Sequence, residues 1–206
     1  TLSLHDALPI CRVLARVPLS GKHFGEGIAP VGETVIQLTW RARQGLVYDL
    51  ETLEPLREFA YPEDWGGSQG WGLALAGEGM PEPLRGLLVM SDGSDALHFV
   101  DPEGMARTGS VHVRHGDAPV PWLNELECVG SMVLANVWKQ DRIAVVAPAD
   151  GRVLSWLDVS GLRALLENPE AGVANGIAWD AAEKRLYVTG KLWDKVFEVR
   201  APGVLP

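Results

Sequence analysis

The sequence predicts an all-β protein, because helical periodicity is scarce and short β-rich runs recur between turn signals. The runs include TVIQLTW, GLLVM, MVLANVW, RIAVV and RLYVTGKLW, and Gly, Pro and Asp residues separate them. One segment, Val159 to Leu166, has the pattern of a helical turn and is expected in a connection between strands. With 206 residues and 47% hydrophobic content, the chain can form one globular domain with a buried core.

The runs repeat in a fixed order, and this favours a β-propeller over a β-sandwich. Each repeat opens on a short, mostly glycine-led triplet, continues into a β run with a polar or aromatic end, and in most cases closes on an acidic turn. Successive openings lie about 45 to 53 residues apart, which is the length of one four-stranded blade. The openings are Gly27-Ile28-Ala29, Gly72-Leu73-Ala74, Glu125-Leu126-Glu127 and Gly176-Ile177-Ala178.

The start of the chain bears on the number of blades. Residues 1–10, TLSLHDALPI, are what a common sequencing-library adapter encodes, so we expect them to be non-native and the domain to run over residues 11–206. The stretch from Cys11 to His23 supplies only the outer part of a further blade, in addition to the four openings. The sequence therefore predicts a five-bladed β-propeller, truncated at its N-terminus so that one blade is incomplete.

Composition argues against several classes of partner. The net charge of -9 disfavours a nucleic-acid partner, since phosphate neutralisation needs clustered Lys and Arg. No apolar run approaches the length of a membrane span, so no membrane partner is expected. The two cysteines, Cys11 and Cys128, have no metal-site spacing and are expected to be buried free thiols. No zinc motif and no glycine-rich phosphate loop is present, so the sequence predicts no metal and no cofactor.

The repeat markers also predict where a site should lie. In a propeller the inner strands line a central channel and their openings converge on one mouth. An aromatic wall with a few polar groups is typical of a small-ligand pocket. Glu26 lies between two glycines in FGEGIA, where a bare carboxylate is costly unless it is paired or functional. The candidates are Glu26, Trp71, Asn124, Glu125 and Asn175 at the openings, and Trp40, Asp92, Trp138, Lys191 and Trp193 at the ends of the following strands.

Each candidate also has a structural interpretation. The tryptophans could pack one blade against the next, and Asn175 could satisfy the backbone of a turn. Glu125 and Glu127 could be members of structural ion pairs, and Lys191 could be a solvated surface residue.

Several motifs in their order resemble a known family. They are FGEGIAPVGETVIQLTW, VYDLETLEPLREFAYP, QGWGLA, LLVMSDGSDALHFVDP, LNELE, ANVWKQDRIAVVAPADG, NGIAWD and RLYVTGKLWDKVFEV. This series resembles the plant and bacterial glutaminyl-peptide cyclotransferases. The resemblance implies a five-bladed propeller and an acyltransferase that converts the N-terminal glutamine of peptides or proteins into pyroglutamate with release of ammonia. It also implies an exported protein, secreted or periplasmic.

The resemblance further implies roles for individual residues. Glu26 corresponds to the proposed general acid/base, and Asn124 and Lys191 to polar groups at the same mouth. The glutamine side chain would lie against Phe24, Trp40, Trp71 and Trp138. This sequence departs from the family in having Gln69 where an acidic residue is usual, and in lacking an early motif similar to FTQGL. That missing motif leaves the activity of the fragment itself open.

Two other functions are compatible with a propeller, since one fold hosts many activities. A calcium-dependent, lactonase-like hydrolase would hold a cation through oxygen ligands of Glu26, Asn124, Asn175 and Asp92. A non-catalytic propeller would bind a peptide terminus at the same mouth. Sensitivity to a chelator separates the lactonase from the cyclase.

Overall fold

Four antiparallel sheets follow one another along the chain as the blades of a propeller-like fold. The computed structural model describes residues 3–4, 15–65 and 69–205. Apart from Ser3–Leu4, the predicted non-native segment 1–10 lies outside the described residues, as does Cys11.

The strands are numbered in chain order, from β1 (Ser3–Leu4). Blade 1 contains β2 (Gly25–Val31), β3 (Thr34–Thr39), β4 (Gln44–Asp49) and β5 (Pro55–Ala60). Blade 2 contains β6 (Leu73–Leu75), β7 (Leu88–Ser91), β8 (Ala96–Val100) and β9 (Arg107–His112). Blade 3 contains β12 (Leu123–Val129), β13 (Met132–Val137), β14 (Arg142–Ala147) and β15 (Arg152–Asp158), and β10 (Arg114–His115) and β11 (Ala118–Pro119) extend its outer edge. Blade 4 contains β16 (Ala174–Asp180), β17 (Arg185–Gly190) and β18 (Phe197–Arg200), with β1 antiparallel to β18 as its outer strand.

Short 3-10 segments are the helical elements of the described residues. One spans Glu63–Trp65 between β5 and β6, and the other spans Ser160–Leu165 between β15 and β16. The second confirms the helical turn predicted around Val159 to Leu166. No helix in the described part of the chain has the length and apolar character that crossing a bilayer takes.

The hydrophobic core lies between successive blades. Strand β13 illustrates why, because its side chains alternate between two apolar environments. Val133, Ala135 and Val137 pack towards blade 2, whereas Leu134 packs towards blade 4. All four are fully buried. A strand buried on both faces is a nearly continuous apolar run, which accounts for the MVLANV pattern in the sequence.

The blade count is where the structure departs from the sequence prediction. The all-β, propeller-like fold is confirmed, but the described residues form four blades, not five. An open space of about 340 Å³, here called the side space, is lined by residues of all four blades, including Trp71 from blade 2 and Glu125 from blade 3. Ile28 lines it from blade 1, and Asn175 and Lys191 line it from blade 4. Ile28 is 57% exposed there, although it belongs to an inner strand.

Candidate active site

Three of the four inner strands carry an irregularity at equivalent places near the mouth. The strand pairing shifts register between Gly25 and Ile28 in β2, between Leu123 and Leu126 in β12, and between Ala174 and Ile177 in β16. Such bulges re-aim side chains and are common next to active sites. The residues within these shifts include Glu26, Asn124, Glu125 and Asn175.

Glycines bring the inner strands close together at the same level. A Cβ atom on Gly27 would lie 2.5 Å from the Leu73 backbone nitrogen, and one on Gly72 would lie 2.0 Å from the Asn124 carbonyl oxygen. The Gly27 N–H donates a hydrogen bond to the Trp71 carbonyl at 2.6 Å. Gly27 and Gly72 are therefore needed for packing, since a side chain at either position would push neighbouring blades apart.

One cavity of about 190 Å³ at this mouth is lined by all seven residues for which the family resemblance implies a role in catalysis or substrate binding. The structure therefore brings together residues from all four blades that are up to 167 positions apart in the chain. The lining side chains are Phe24, Glu26, Trp40, Trp71, Asn124, Trp138 and Lys191.

Glu26 is the acidic group of the cavity. It is half-buried, and burial raises the pKa of its carboxyl group, while the positive charge of Lys191 lowers it. Burial therefore makes this carboxyl group a better proton acceptor than an exposed glutamate, and the charge of Lys191 opposes part of that effect. The negative charge of Glu26 also affects the buried phenol of Tyr61. Burial, opposed by hydrogen bonds with Thr39 and aided by the charge of Glu26, raises the pKa of Tyr61 to about 12.

Asn124 brings an unsatisfied amide to the cavity. Its side chain is only 3% exposed, and its Oδ1 atom has no hydrogen-bond partner among the described residues. Its backbone is firmly held, since the Ser91 hydroxyl donates to the Asn124 carbonyl at 2.6 Å. A buried polar atom without a partner is costly, so an amide kept in this state points to a ligand that completes its hydrogen bonds.

Gln69 fixes two tryptophans of the cavity wall. The indole N–H groups of Trp40 and Trp71 both donate to Gln69 Oε1, at 2.5 and 3.0 Å. Both N–H groups are thereby occupied and cannot stabilise an oxyanion. The Trp138 indole N–H has no acceptor among the described residues and remains available. The sequence singled out Gln69 only as a departure from the family, not as a support for the wall.

Removing this shared acceptor should loosen the wall. We expect Gln69→Leu to raise KM for a glutamine-initiated peptide about tenfold, since two indole N–H groups lose a partner worth about 1 kcal/mol or more in total. Gln69→Glu keeps an acceptor oxygen and should preserve KM within a few-fold. Steady-state kinetics on the three proteins would check this, and an unchanged KM in Gln69→Leu would contradict a supporting role.

Two further residues at the mouth do not line the cavity. Trp122 contacts Trp71 and Trp138, with ring centroids 6.4 and 5.5 Å away. Glu125 was a candidate and lines the side space with Glu26, but without an ion-pair partner among the described residues. Burial and the neighbouring Glu127 raise the pKa of Glu125 well above its ordinary value. The signal for Trp122 was its position directly before LNELE, in the phase of the other openings.

Other candidates lie outside the cavity. Of the two interpretations of Trp193, the structure favours packing, because its indole N–H donates to the Gly172 carbonyl at 2.9 Å and its ring packs against Phe197. Asp92 accepts hydrogen bonds from Ser94 and lies 3.2 Å from His98. Burial opposes its charge, but these contacts prevail and lower the pKa of Asp92 to about 2.

Asn175, another potential metal ligand, and the Cys128 thiol also lie outside the cavity. Asn175 lines the side space and accepts a weak hydrogen bond from the Glu125 backbone at 3.4 Å. Within the described residues, no group of three or more His, Cys, Asp and Glu side chains is arranged to hold a metal ion. Cys128 is a free, half-buried cysteine, and burial raises the pKa of its thiol.

Comparisons with known proteins agree with one another. Residues 6–201 match the model of a family described as glutamine cyclotransferase. A glutaminyl-peptide cyclotransferase of Arabidopsis thaliana is 39% identical over 185 residues, which cover 88% of this chain and 54% of the relative. Myxococcus xanthus glutaminyl cyclase is 36% identical, with a TM-score of 0.76 over 87% of this chain and 73% of that one. The chain thus spans about half the length of the Arabidopsis relative.

Proposed function

Because the chain belongs to the glutamine cyclotransferase family, we propose that it is built to convert the N-terminal glutamine of peptides and proteins into pyroglutamate. The observation that supports this most strongly is the single cavity lined by one carboxyl group, one amide, one ammonium group and four aromatic side chains. Peptides and proteins with an N-terminal glutamine are the proposed partners. Export of the protein, expected from the resemblance, stays a prediction.

The reaction closes a ring within one molecule. The substrate's α-amino nitrogen forms a bond to the side-chain amide carbon, and the bond from that carbon to the amide nitrogen breaks, which releases ammonia. No second reactant has to be gathered, so the site's first task is to hold the glutamine in a folded conformer. Phe24, Trp40, Trp71 and Trp138 enclose a space too small for an extended peptide, and this favours the folded form.

Proton transfer falls to Glu26 in this proposal. The carboxylate takes a proton from the attacking amine and returns it to the departing nitrogen, so no net proton is consumed. Its half-buried position supports this role, because burial raises the pKa of Glu26. The positive charge of Lys191 opposes that rise. Donors for the developing oxyanion are the Asn124 amide, the Lys191 ammonium group and the Trp138 indole N–H, all of which line the cavity.

Ammonia release from glutaminyl-glycine amide tests the proposal directly. We expect turnover that persists in the presence of EDTA. Turnover abolished by EDTA would favour the calcium-dependent hydrolase, with Glu26, Asn124 and Asn175 as ligands. No turnover, but saturable binding of the same dipeptide, would favour the non-catalytic propeller.

We also propose that a fifth blade completes the ring between blades 1 and 4. The exposed apolar side chains of Phe24 and Ile28 on blade 1, at 61% and 57%, support this. Apolar surface of this kind is normally covered in a propeller by the next blade.

A fusion would test the fifth blade. Joining the part of the Myxococcus enzyme that this chain does not cover ahead of Ala15 should raise the melting temperature by several degrees, because it buries this face. A fusion of a scrambled sequence of the same length ahead of Ala15 serves as the control for added length. Equal melting temperatures of the two fusions would contradict a blade at this position.

A further inference from the structure

Trp122 is a large aromatic residue held rigidly at the rim of the cavity. Its side chain is 48% exposed, although most large apolar side chains of this protein are buried. Its backbone has a φ of +69°, a conformation that bulky residues rarely adopt. Two hydrogen bonds fix it there: the Trp122 N–H donates to the Gly93 carbonyl at 3.1 Å, and the Trp138 N–H donates to the Trp122 carbonyl at 2.8 Å.

The Trp122 ring continues the aromatic wall outwards. It is stacked on Trp71 with an interplanar angle of 28° and tilted against Trp138 at 54°. Trp71 and Trp138 themselves meet edge to face at 5.8 Å. The latter two line the cavity, whereas Trp122 does not. The three indoles therefore form one surface that begins inside the cavity and ends in solvent on the exposed part of Trp122.

The Trp122 indole is exposed, rigidly held and on a strained backbone, and this combination is typical of a binding surface. Unfavourable backbone conformations persist where the surrounding structure enforces them, and they cluster at functional sites. Because the backbone hydrogen bonds and the two neighbouring rings already order Trp122, a ligand that stacks on it meets little additional ordering cost. The exposed ring can accept an aromatic or apolar group, since offset or edge-to-face contacts between rings are favourable.

The size of the cavity indicates which group that would be. At about 190 Å³ the cavity is smaller than the pockets of about 300–1,000 Å³ that hold drug-sized ligands, so it accommodates one residue of a peptide. The rest of the peptide has to leave across the rim. We propose that Trp122 forms a subsite for an aromatic or large apolar side chain at the second position of the peptide, an inference that rests on the proposed function.

Kinetics on two dipeptide amides test this subsite. We expect kcat/KM for glutaminyl-phenylalanine amide to exceed that for glutaminyl-glycine amide about five- to tenfold, the size of an aromatic contact. In Trp122→Ala the ratio should fall to about one, with the loss in KM, and Trp122→Phe should restore most of it. Leu154→Ala is the matched control, because Leu154 is equally exposed, at 47%, on the outer strand of the same blade. An unchanged ratio in Trp122→Ala would overturn the subsite while leaving the proposed function intact.

Binding of the products tests the same inference without turnover. Pyroglutamyl-phenylalanine amide should bind the wild-type protein about five- to tenfold more tightly than pyroglutamyl-glycine amide, and equally tightly in Trp122→Ala. Titration calorimetry measures both. Equal binding of the two amides by the wild-type protein contradicts the subsite, whether or not the protein releases ammonia. Absence of ammonia release with this difference preserved contradicts the proposed function alone.

Discussion

Replacing Glu26 by glutamine should lower kcat for glutamine cyclisation by about 10²- to 10⁴-fold, the usual contribution of a positioned general acid/base. The amide is nearly the same size as the carboxyl group but can neither take the proton of the attacking amine nor return it. Because the side chain is only half-buried, the fold should tolerate the change. Ammonia release and the melting temperature, measured on the same preparation, check both statements.

A matched control is available on an inner strand. Glu127→Gln removes another carboxyl group whose pKa burial raises, in this case to about 7, but Glu127 does not line the cavity. Its kcat should stay within a few-fold of the wild-type value. Similar losses in Glu26→Gln and Glu127→Gln would indicate a general electrostatic effect and would contradict a specific role for Glu26.

The pH dependence of kcat supplies a second check on Glu26. Since the carboxylate is the form that accepts the proton, kcat should fall as the pH drops through the raised pKa of Glu26. Lys191 lowers that pKa, so Lys191→Met removes the opposing charge and should move the acid limb of the profile to higher pH. A shift to lower pH would contradict the electrostatic pairing of the two residues.

Replacing Asn124 by leucine should separate activity from stability. We expect kcat to fall about 10²- to 10³-fold, the typical effect of losing a donor to an oxyanion. The free energy of unfolding should stay unchanged or rise by about 1 kcal/mol, because the buried Oδ1 atom without a partner is removed. Kinetics combined with urea unfolding measure the two quantities.

Asn136 provides the opposite case for comparison. It is also fully buried and its Nδ2 has no partner among the described residues, but its Oδ1, unlike that of Asn124, accepts a hydrogen bond from the Gly176 N–H at 2.9 Å, and it does not line the cavity. Asn136→Leu should therefore destabilise the fold by about 1–3 kcal/mol, since it leaves the Gly176 N–H without a partner. Equal destabilisation by both substitutions would show that Asn124 is structural.

Much of the fold was accessible from the sequence because its determinants are local and repeated. A propeller blade alternates apolar side chains with a period of two and turns at Gly, Asp and Asn, and both features are visible in the chain. The repeat also places Glu26, Asn124 and Asn175 at equivalent positions, each directly before an opening triplet. Their equivalent bulges explain why this alignment located the mouth.

The residue pattern alone thus predicts the all-β class and the blade repeat, and the family resemblance adds the seven residues that line the cavity. The directions of individual side chains follow from contacts between blades and are visible only in the folded protein. The tertiary structure places Trp193 inside blade 4, holds Trp122 at the rim, and makes Gln69 the shared acceptor of two indoles. The physical reason is that each of these positions depends on a backbone angle or a hydrogen bond between segments distant in sequence or in neighbouring blades, and no local pattern encodes such a contact.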